Sequence, residues 1–110
     1  MNWTIFYYNE KVKAEIFVWP STVLADFRRL LTLLEENGAD LRMPHSRAMG
    51  SGLFELRCKG SDGIARIFYG YMSNKRIIIL HSFIKKTQET PQRELNKAQT
   101  RLREIQENDY

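Results

Sequence analysis

Two arginines and a histidine, Arg57, Arg66 and His81, lie on three successive segments whose composition is typical of β-strands. A guanidinium stays charged at neutral pH, and its planar fork can bind two phosphate oxygens at once. An imidazole has an unperturbed pKa near neutrality, so it can accept or release a proton. Together these residue types could cleave a phosphodiester without a metal, since the arginines would stabilise the extra phosphoryl charge while the histidine moved a proton.

Two short turns allow the pairing of these strands to be predicted. The turn at 60–63 puts Arg57 opposite Arg66, and a two-residue turn at Ser73-Asn74 puts Arg66 opposite His81. Directly opposed residues share a face of a sheet, so the three side chains are predicted to form one row. The rows beside it are Lys59, Ile64 and Phe83, and then Glu55, Phe68 and Ile79, with Lys85 on the same side.

The other face of this predicted sheet is almost entirely apolar or small. Its rows are Phe54, Tyr69 and Ile78, then Leu56, Ile67 and Leu80, then Cys58, Ala65 and Ser82. This register separates apolar residues on one face from charged residues on the other. A one-residue slip in either hairpin would mix the two classes on both faces. The register therefore predicts that the helices pack on this apolar face and that Cys58 is a small core residue.

Opposed arginines make the predicted row electrostatically unfavourable. Two like charges directly opposite each other destabilise a sheet by about 0.2–1 kcal/mol, and a bound anion would remove that cost. Two alternatives need no ligand: the arginine side chains splay into water, or they pair with Glu55.

The residues around the row suit contact with flanking parts of a nucleic acid. Lys59, Lys85 and Lys86 are predicted to hold phosphates, and Phe83 or Phe68 to stack on a base, although simple packing explains the aromatic residues equally well. His45 reads as a surface histidine. Two histidines far apart in sequence and a single cysteine make a weak case for a metal, so neither a metal nor a cofactor is expected.

Positive charge is concentrated in the middle of the chain. The net charge is +4 over 110 residues, yet residues 41–86 hold nine Lys/Arg against two acidic residues, while the segments before and after them are slightly acidic. Such asymmetry is typical of proteins that bind nucleic acid or another polyanion. A solvated basic face without a ligand is the alternative.

The order of the predicted elements is β-α-α-β-β-β-α. Trp3–Tyr8 is the first strand and Lys11–Val18 a short helix. A second helix, which ends at Asn37-Gly38, carries a leucine stripe formed by Leu24, Phe27, Leu31 and Leu34. Residues 38–52 are predicted to form a loop. Strands at Leu53–Lys59, Ile64–Tyr71 and Arg76–Ile84 precede a last helix opened by Thr90-Pro91. We therefore expect one α+β domain over residues 1–110, an antiparallel sheet packed against helices.

Four segments of the sequence resemble a known family. They run from Gly52 to Arg57, from Ala65 to Tyr69, from Leu80 to Thr87, and over Thr90-Pro91. They are similar to phage-derived and HigB-like toxins of the RelE superfamily, and the likeness extends over nearly the whole chain. The resemblance implies a RelE-like fold and the activity of a type II toxin–antitoxin mRNA interferase, which cuts messenger RNA on the ribosome.

The resemblance also implies partners and site residues. The expected partner is a HigA-like helix-turn-helix antitoxin, through which alone operator DNA would be contacted. Arg57 and Arg66 match the family's strand arginines, His81 its histidine on the last strand, and Lys85 and Lys86 its basic segment. Many RelE-type toxins have a reactive tyrosine near the C-terminus. Here Tyr110 is the last residue and receives no role, so the identity of the general base stays open.

The sequence leaves other functional classes in competition with an endoribonuclease. A non-catalytic RNA- or ribosome-binding module could use the same basic face, but it would not need a titratable His81. A structural phage protein could bind another protein there. No secretory signal pattern opens the chain, and the longest apolar run, Ile77–Leu80, is too short to cross a bilayer. We expect a cytoplasmic protein without membrane contact.

Overall fold

The computed structural model describes residues 2–41, 45–85 and 90–108. The strands are β1 (Thr4–Tyr7), β2 (Ser46–Gly50), β3 (Leu53–Gly60), β4 (Gly63–Met72) and β5 (Arg76–Lys85). The helices are α1 (Glu10–Phe17), α2 (Ser21–Asn37) and α3 (Gln92–Glu107), with a 3-10 turn at Gly38–Asp40 after α2. The predicted α+β class is confirmed. None of the helices described is both long and apolar enough to cross a membrane.

The five strands form one sheet in the order β1-β5-β4-β3-β2. Strands β2 to β5 pair antiparallel, whereas β1 runs parallel to β5. The prediction of a loop over 38–52 is wrong for Ser46–Gly50, which pairs with β3 as an edge strand. This strand is short and polar, so it lacks the apolar alternation by which a half-buried strand is recognised.

Helices α1 and α2 cover one face of the sheet, which we call the helix-pair face. The core there joins Phe27, Leu30 and Leu34 of α2 to Leu56 and Ile67 of the sheet, all of them fully buried. The predicted leucine stripe therefore packs where expected. Asn9 caps α1, since its side-chain oxygen accepts a hydrogen bond of 2.8 Å from the Val12 amide.

Helix α2 ends at the predicted glycine for a steric reason. Gly38 has a φ of +49°, and a Cβ built on it would lie 2.0 Å from the indole nitrogen of Trp3. Its carbonyl oxygen accepts a hydrogen bond of 2.9 Å from the Tyr71 hydroxyl. The chain thus reverses at a point where a side chain has no room.

Helix α3 packs on the opposite face, which we call the site face, and not with the other helices as predicted. Ala98, Leu102 and Ile105 of α3 form a second buried cluster with Leu53, Phe68, Ile78 and Leu80 of the sheet. The site face is therefore covered at one end by α3, and the charged residues of β3 to β5 lie at its other end. That division places the candidate site beside the first turn of α3.

Candidate active site

The predicted pairing of the two arginines is confirmed. In the β3–β4 hairpin Arg57 lies directly opposite Arg66, because Gly60 pairs with Gly63 around a two-residue turn. The next residue in that row is Phe83 and not His81, which lies opposite Phe68. The prediction that Arg57, Arg66 and His81 form one row is therefore wrong, although His81 lies on the same face in the adjacent row.

Two irregularities in the β4–β5 hairpin cause this shift. The turn uses three residues, Ser73, Asn74 and Lys75, because Met72 pairs with Arg76, and both Asn74 and Lys75 have positive φ values, 62° and 54°. A bulge at Leu80 then adds one more residue to β5, between the pairs Tyr69–Ile79 and Phe68–His81.

The bulge changes which residues of β5 face α3. Ile77 and Ile79 belong to the core under α1 and α2, while Ile78 and Leu80 pack with α3, the reverse of the predicted faces. The extra turn residue and the bulge together shift the pairing by two residues. Beyond the bulge His81, Phe83 and Lys85 therefore lie on the predicted face of the sheet. The Arg101 guanidinium of α3 donates a hydrogen bond of 2.6 Å to the Leu80 carbonyl, which satisfies a backbone group at the irregularity.

A buried carboxylate lies between the two arginines. Glu55 is 1% exposed, and its Oε1 is 3.6 Å from Nε of Arg57 and 3.6 Å from Nε of Arg66. Its Oε2 accepts a hydrogen bond of 2.9 Å from the Thr90 hydroxyl. Pairing with Glu55, one of the alternatives left open by the sequence, is therefore what the structure contains.

Arg66 is the more deeply buried of the two arginines. It is 8% exposed, and its Nη1 donates a hydrogen bond of 3.1 Å to the Ala65 carbonyl. Burial lowers the pKa of Arg66, an effect that the charge of Glu55 opposes and that of Arg57 reinforces. Within the part of the chain described, Nε of each arginine is buried without a hydrogen-bond partner. Arg57 keeps 31% of its side chain exposed.

Lys85 extends this group of charges, and we call Arg57, Arg66 and Lys85 around Glu55 the cationic cluster. Desolvation lowers the pKa of Lys85, as do the charges of Arg66 and Arg57 and that of Arg47 on the edge strand, while Glu55 raises it. Arg47 lies opposite Glu55 on β2. The cluster thus holds three cations and one carboxylate at the end of the site face that lies away from the apolar contacts of α3.

Two of the other predicted RNA-binding residues, Lys59 and Phe83, lie on the site face outside the cluster. Lys59 is exposed next to Ile64 at the end of the first hairpin. Phe83 is partly exposed, and its ring stacks on Phe68 at 5.8 Å and on His81 at 6.3 Å between centroids. Phe68 is fully buried in the core under α3, so in this structure packing accounts for it. Lys86 lies outside the described residues.

His81 is held by a residue of α3. Its Nε2 lies 2.6 Å from Oε1 of Glu94, and the histidine side chain is 8% exposed. Burial lowers the pKa of His81, against the opposing effect of Glu94. The pKa of Glu94 is lowered by the hydrogen bond from His81 and by Arg93, which outweigh desolvation. The lowered pKa of His81 fits a neutral imidazole that donates its Nε2 proton to the Glu94 carboxylate and leaves a lone pair on the buried Nδ1.

Two residues considered in the sequence take no part in the cluster. Cys58 is fully buried on the helix-pair face as predicted, and desolvation raises the pKa of its thiol to about 12. The backbone carbonyl of His45 accepts a hydrogen bond of 3.0 Å from the Arg57 amide. Among the described residues, no three His, Cys, Asp or Glu side chains are grouped so that they could hold a metal ion.

Sequence reasoning missed Glu94 and Thr90, which come from the segment that leads into α3. Thr90 was predicted only to open the last helix, and Glu94 carries no sequence signal of its own, because the site contacts of both depend on where that segment crosses the sheet. It also missed Arg47, because the residues around it were predicted to be a loop. The sequence does carry a signal for Glu55 as a partner of the arginines, since it is the only acidic residue of β3 and shares a face with Arg57.

Comparison with known proteins assigns the chain to a family. No curated protein matches the chain. A family model described as "Phage derived protein Gp49-like (DUF891)" matches residues 14–103. The match runs from α1 to the last turns of α3 and includes every residue of the cationic cluster, together with His81, Glu94 and Thr90. The chain therefore belongs to the Gp49-like family of phage-derived proteins, a RelE/toxin-like family.

Proposed function

We propose that the chain is the toxin of a type II toxin–antitoxin system, a metal-independent endoribonuclease that cuts messenger RNA on the ribosome. One observation carries this proposal. Arg66 is almost fully buried beside a second arginine, and Glu55, the carboxylate between them, carries only one negative charge. Two adjacent cations that share one carboxylate are incompletely compensated, and a phosphate at their outer nitrogens would supply the missing negative charge.

The charge of the cationic cluster suits phosphoryl chemistry. Three cations surround one carboxylate, which leaves an excess of two positive charges before Arg47 is counted. A phosphodiester carries one negative charge and gains a second when a ribose 2′-oxygen attacks phosphorus. Preorganised cations bind the doubly charged transition state more strongly than the singly charged ground state, which is the condition for catalysis.

Proton transfer is assigned to His81. During cleavage the 2′-hydroxyl gives its proton to His81 as the 2′-oxygen bonds to phosphorus, and the departing 5′-oxygen takes a proton from solvent water as its bond to phosphorus breaks. A neutral imidazole with Nε2–H fixed by Glu94 has Nδ1 available as the base. Nδ1 is buried in this structure, so this role requires the groups that cover it to move when RNA binds.

Binding of the message is assigned to Lys85 of the cluster and to three residues outside it. Lys59, Lys85 and Lys86 would neutralise flanking phosphates, and Phe83, whose ring is partly exposed, would stack on a base. The sequence resemblance to HigB-like toxins implies two further parts of the proposal, a HigA-like helix-turn-helix antitoxin and contact with operator DNA only through that antitoxin. We also propose action in the cytoplasm.

Growth of bacteria that express the chain tests this function. We expect wild-type protein to arrest growth and the antitoxin encoded beside it to restore growth. Arg57→Ala should abolish the arrest, because it removes one cation of the cluster and leaves Glu55 paired with Arg66. Arg28→Ala, which removes an exposed arginine from α2, is the matched control and should remain toxic. Normal growth at verified levels of folded wild-type protein would refute the proposal.

A second candidate is a non-catalytic RNA- or ribosome-binding module, and the burial of His81 favours it. The histidine side chain is 8% exposed, so no freely exposed imidazole stands beside the arginines. This function would be identified if the variants bind ribosomes as tightly as the wild type does and neither the wild type nor any variant cleaves the bound message.

A further inference from the structure

The buried carboxylate of Glu55 lies at the centre of the charges and contacts no solvent. Its exposure is 1%, and the contacts on its two oxygens differ: Oε1 is equidistant from the two arginine Nε atoms, at 3.6 Å each, and Oε2 accepts the Thr90 hydrogen bond. A carboxylate as buried as this is stable only where cations and hydrogen bonds compensate it. Here the compensation comes from Arg57, Arg66 and Thr90.

The contacts of Glu55 determine how the two guanidinium groups are presented. Arg57 is two residues from Glu55 on β3, and Arg66 is the diagonal neighbour of Glu55 on β4. The carboxylate therefore lies on the same face as the two arginines, in the adjacent row of the sheet. The inner Nε edge of each guanidinium faces Oε1. For Arg66 the Ala65 carbonyl takes Nη1 as well, so Nη2 is the nitrogen that these contacts leave for a ligand.

We propose that Glu55 is a positioning residue, which holds Arg57 and Arg66 side by side with their outer nitrogens directed at the scissile phosphate. Without an anion between them the two guanidinium groups would repel each other and separate. The Thr90 hydroxyl fixes the second carboxylate oxygen and so sets the plane of the carboxylate. This inference rests on the proposed endoribonuclease activity.

The proposal makes opposite predictions for binding and for catalysis. Glu55→Gln keeps the size of the side chain and an acceptor for Thr90 but removes the negative charge. RNA should bind as tightly as to the wild type or more tightly, because the cluster becomes more positive. The single-turnover cleavage rate at saturating programmed ribosomes should fall by about 10²-fold, the scale of loss when catalytic groups are misplaced by about an ångström.

Three results with folded Glu55→Gln decide the question. Slower cleavage with unchanged or tighter binding supports a positioning role. Cleavage at the wild-type rate overturns it. Cleavage and binding that fall together with the melting temperature also overturn it, because they mean that Glu55 only stabilises the fold. Lys59→Ala is the control, since it removes a cation outside the cluster and should weaken binding more than the rate at saturation.

A second measurement is independent of activity. NMR signals of the Arg57 and Arg66 Nε–H groups, assigned with Arg57→Lys and Arg66→Lys, should be protected from solvent exchange in the wild type and lose that protection in Glu55→Gln. Unchanged protection would overturn the positioning role. If wild-type protein cuts no RNA, the endoribonuclease proposal fails, and these signals still decide whether Glu55 orders the arginines.

Thr90→Val is the variant to use if Glu55→Gln does not fold. It keeps the charge and the shape of the site but removes the hydrogen bond to Oε2. We expect slower cleavage with unchanged RNA affinity. A wild-type rate would show that the plane of the carboxylate does not need to be fixed and would overturn the proposal.

Discussion

The pair formed by His81 and Glu94 predicts how the stability of the protein changes with pH. Burial lowers the pKa of His81 below its ordinary value of 6.5 in the folded state, so the unfolded chain binds a proton more readily than the folded one. The stability that comes from keeping His81 neutral is complete above about pH 6.5 and is lost as the pH falls from there towards the folded pKa. Glu94, whose folded pKa is lowered from 4.5, stays ionised across this window.

The size of the effect follows from the exchange of one proton. The limiting slope for a single group is about 1.4 kcal/mol per pH unit. Wild-type protein should therefore lose unfolding free energy as the pH falls from about 6.5 towards the folded pKa of His81, with a slope that does not exceed this limit. In His81→Gln the contribution of this group should disappear, so the profile becomes flatter over the same window.

Urea unfolding at a series of pH values measures these slopes. Both proteins should carry His45→Gln, which removes the other histidine from the titration. Equal slopes with and without His81 would refute the reasoning, because they would mean that burial does not hold the ring neutral. A wild type that gains stability relative to His81→Gln in acid would also refute it, since a charged His81–Glu94 ion pair would then dominate.

Two further substitutions test the core and the RNA-binding role of Lys85. Ile67→Ala should lower the free energy of unfolding by about 2–5 kcal/mol, because Ile67 is 0% exposed between the sheet and α2. Ile64→Ala, on the other face of the same strand and 36% exposed, should cost much less in the same denaturation experiment, and similar losses would contradict the assigned faces. Lys85→Ala should weaken RNA binding and reduce the dependence of log K on log salt by about one unit, whereas the exposed Lys11→Ala on α1 should change neither quantity.

The first hairpin could be predicted from sequence because its turn is tight. The dipeptide Ser61-Asp62 between two glycines closes it with two residues, and the register from Phe54 to Gly60 follows. The second hairpin could not, because Lys75 joins its turn with a positive φ of 54°, a conformation that the identity of a lysine does not announce. Each residue added to a turn reverses the faces of the strand that follows.

The bulge at Leu80 was equally hidden from the sequence. Ile77–Leu80 is uniformly apolar, so alternation cannot reveal an inserted residue, and both faces of β5 are covered by helices. The apolar stripe of α3 was visible, but the face against which it packs depends on the same bulge. The bulge in β5 and the packing of α3 on the site face together bring Glu94 to His81, and neither could be predicted from the sequence.

The structure also changes how the arginines should be tested. On sequence alone, removal of either opposed arginine relieves a repulsion. With Glu55 buried between them, loss of Arg66 leaves the carboxylate short of a buried partner, and breaking such a pair costs about 3–5 kcal/mol. Arg57, with 31% of its side chain exposed, is the better probe, because its removal leaves the Glu55–Arg66 pair intact.

Single-turnover cleavage of messenger RNA on programmed ribosomes, measured for wild type and Arg57→Ala together with melting curves, tests the central claim most directly. The wild type should cut the message. Arg57→Ala should cut it about 10²–10³-fold more slowly while it stays folded at the assay temperature. A wild type that binds ribosomes without cutting RNA, or a folded Arg57→Ala protein that cuts at the wild-type rate, would contradict the claim that the cationic cluster cleaves RNA.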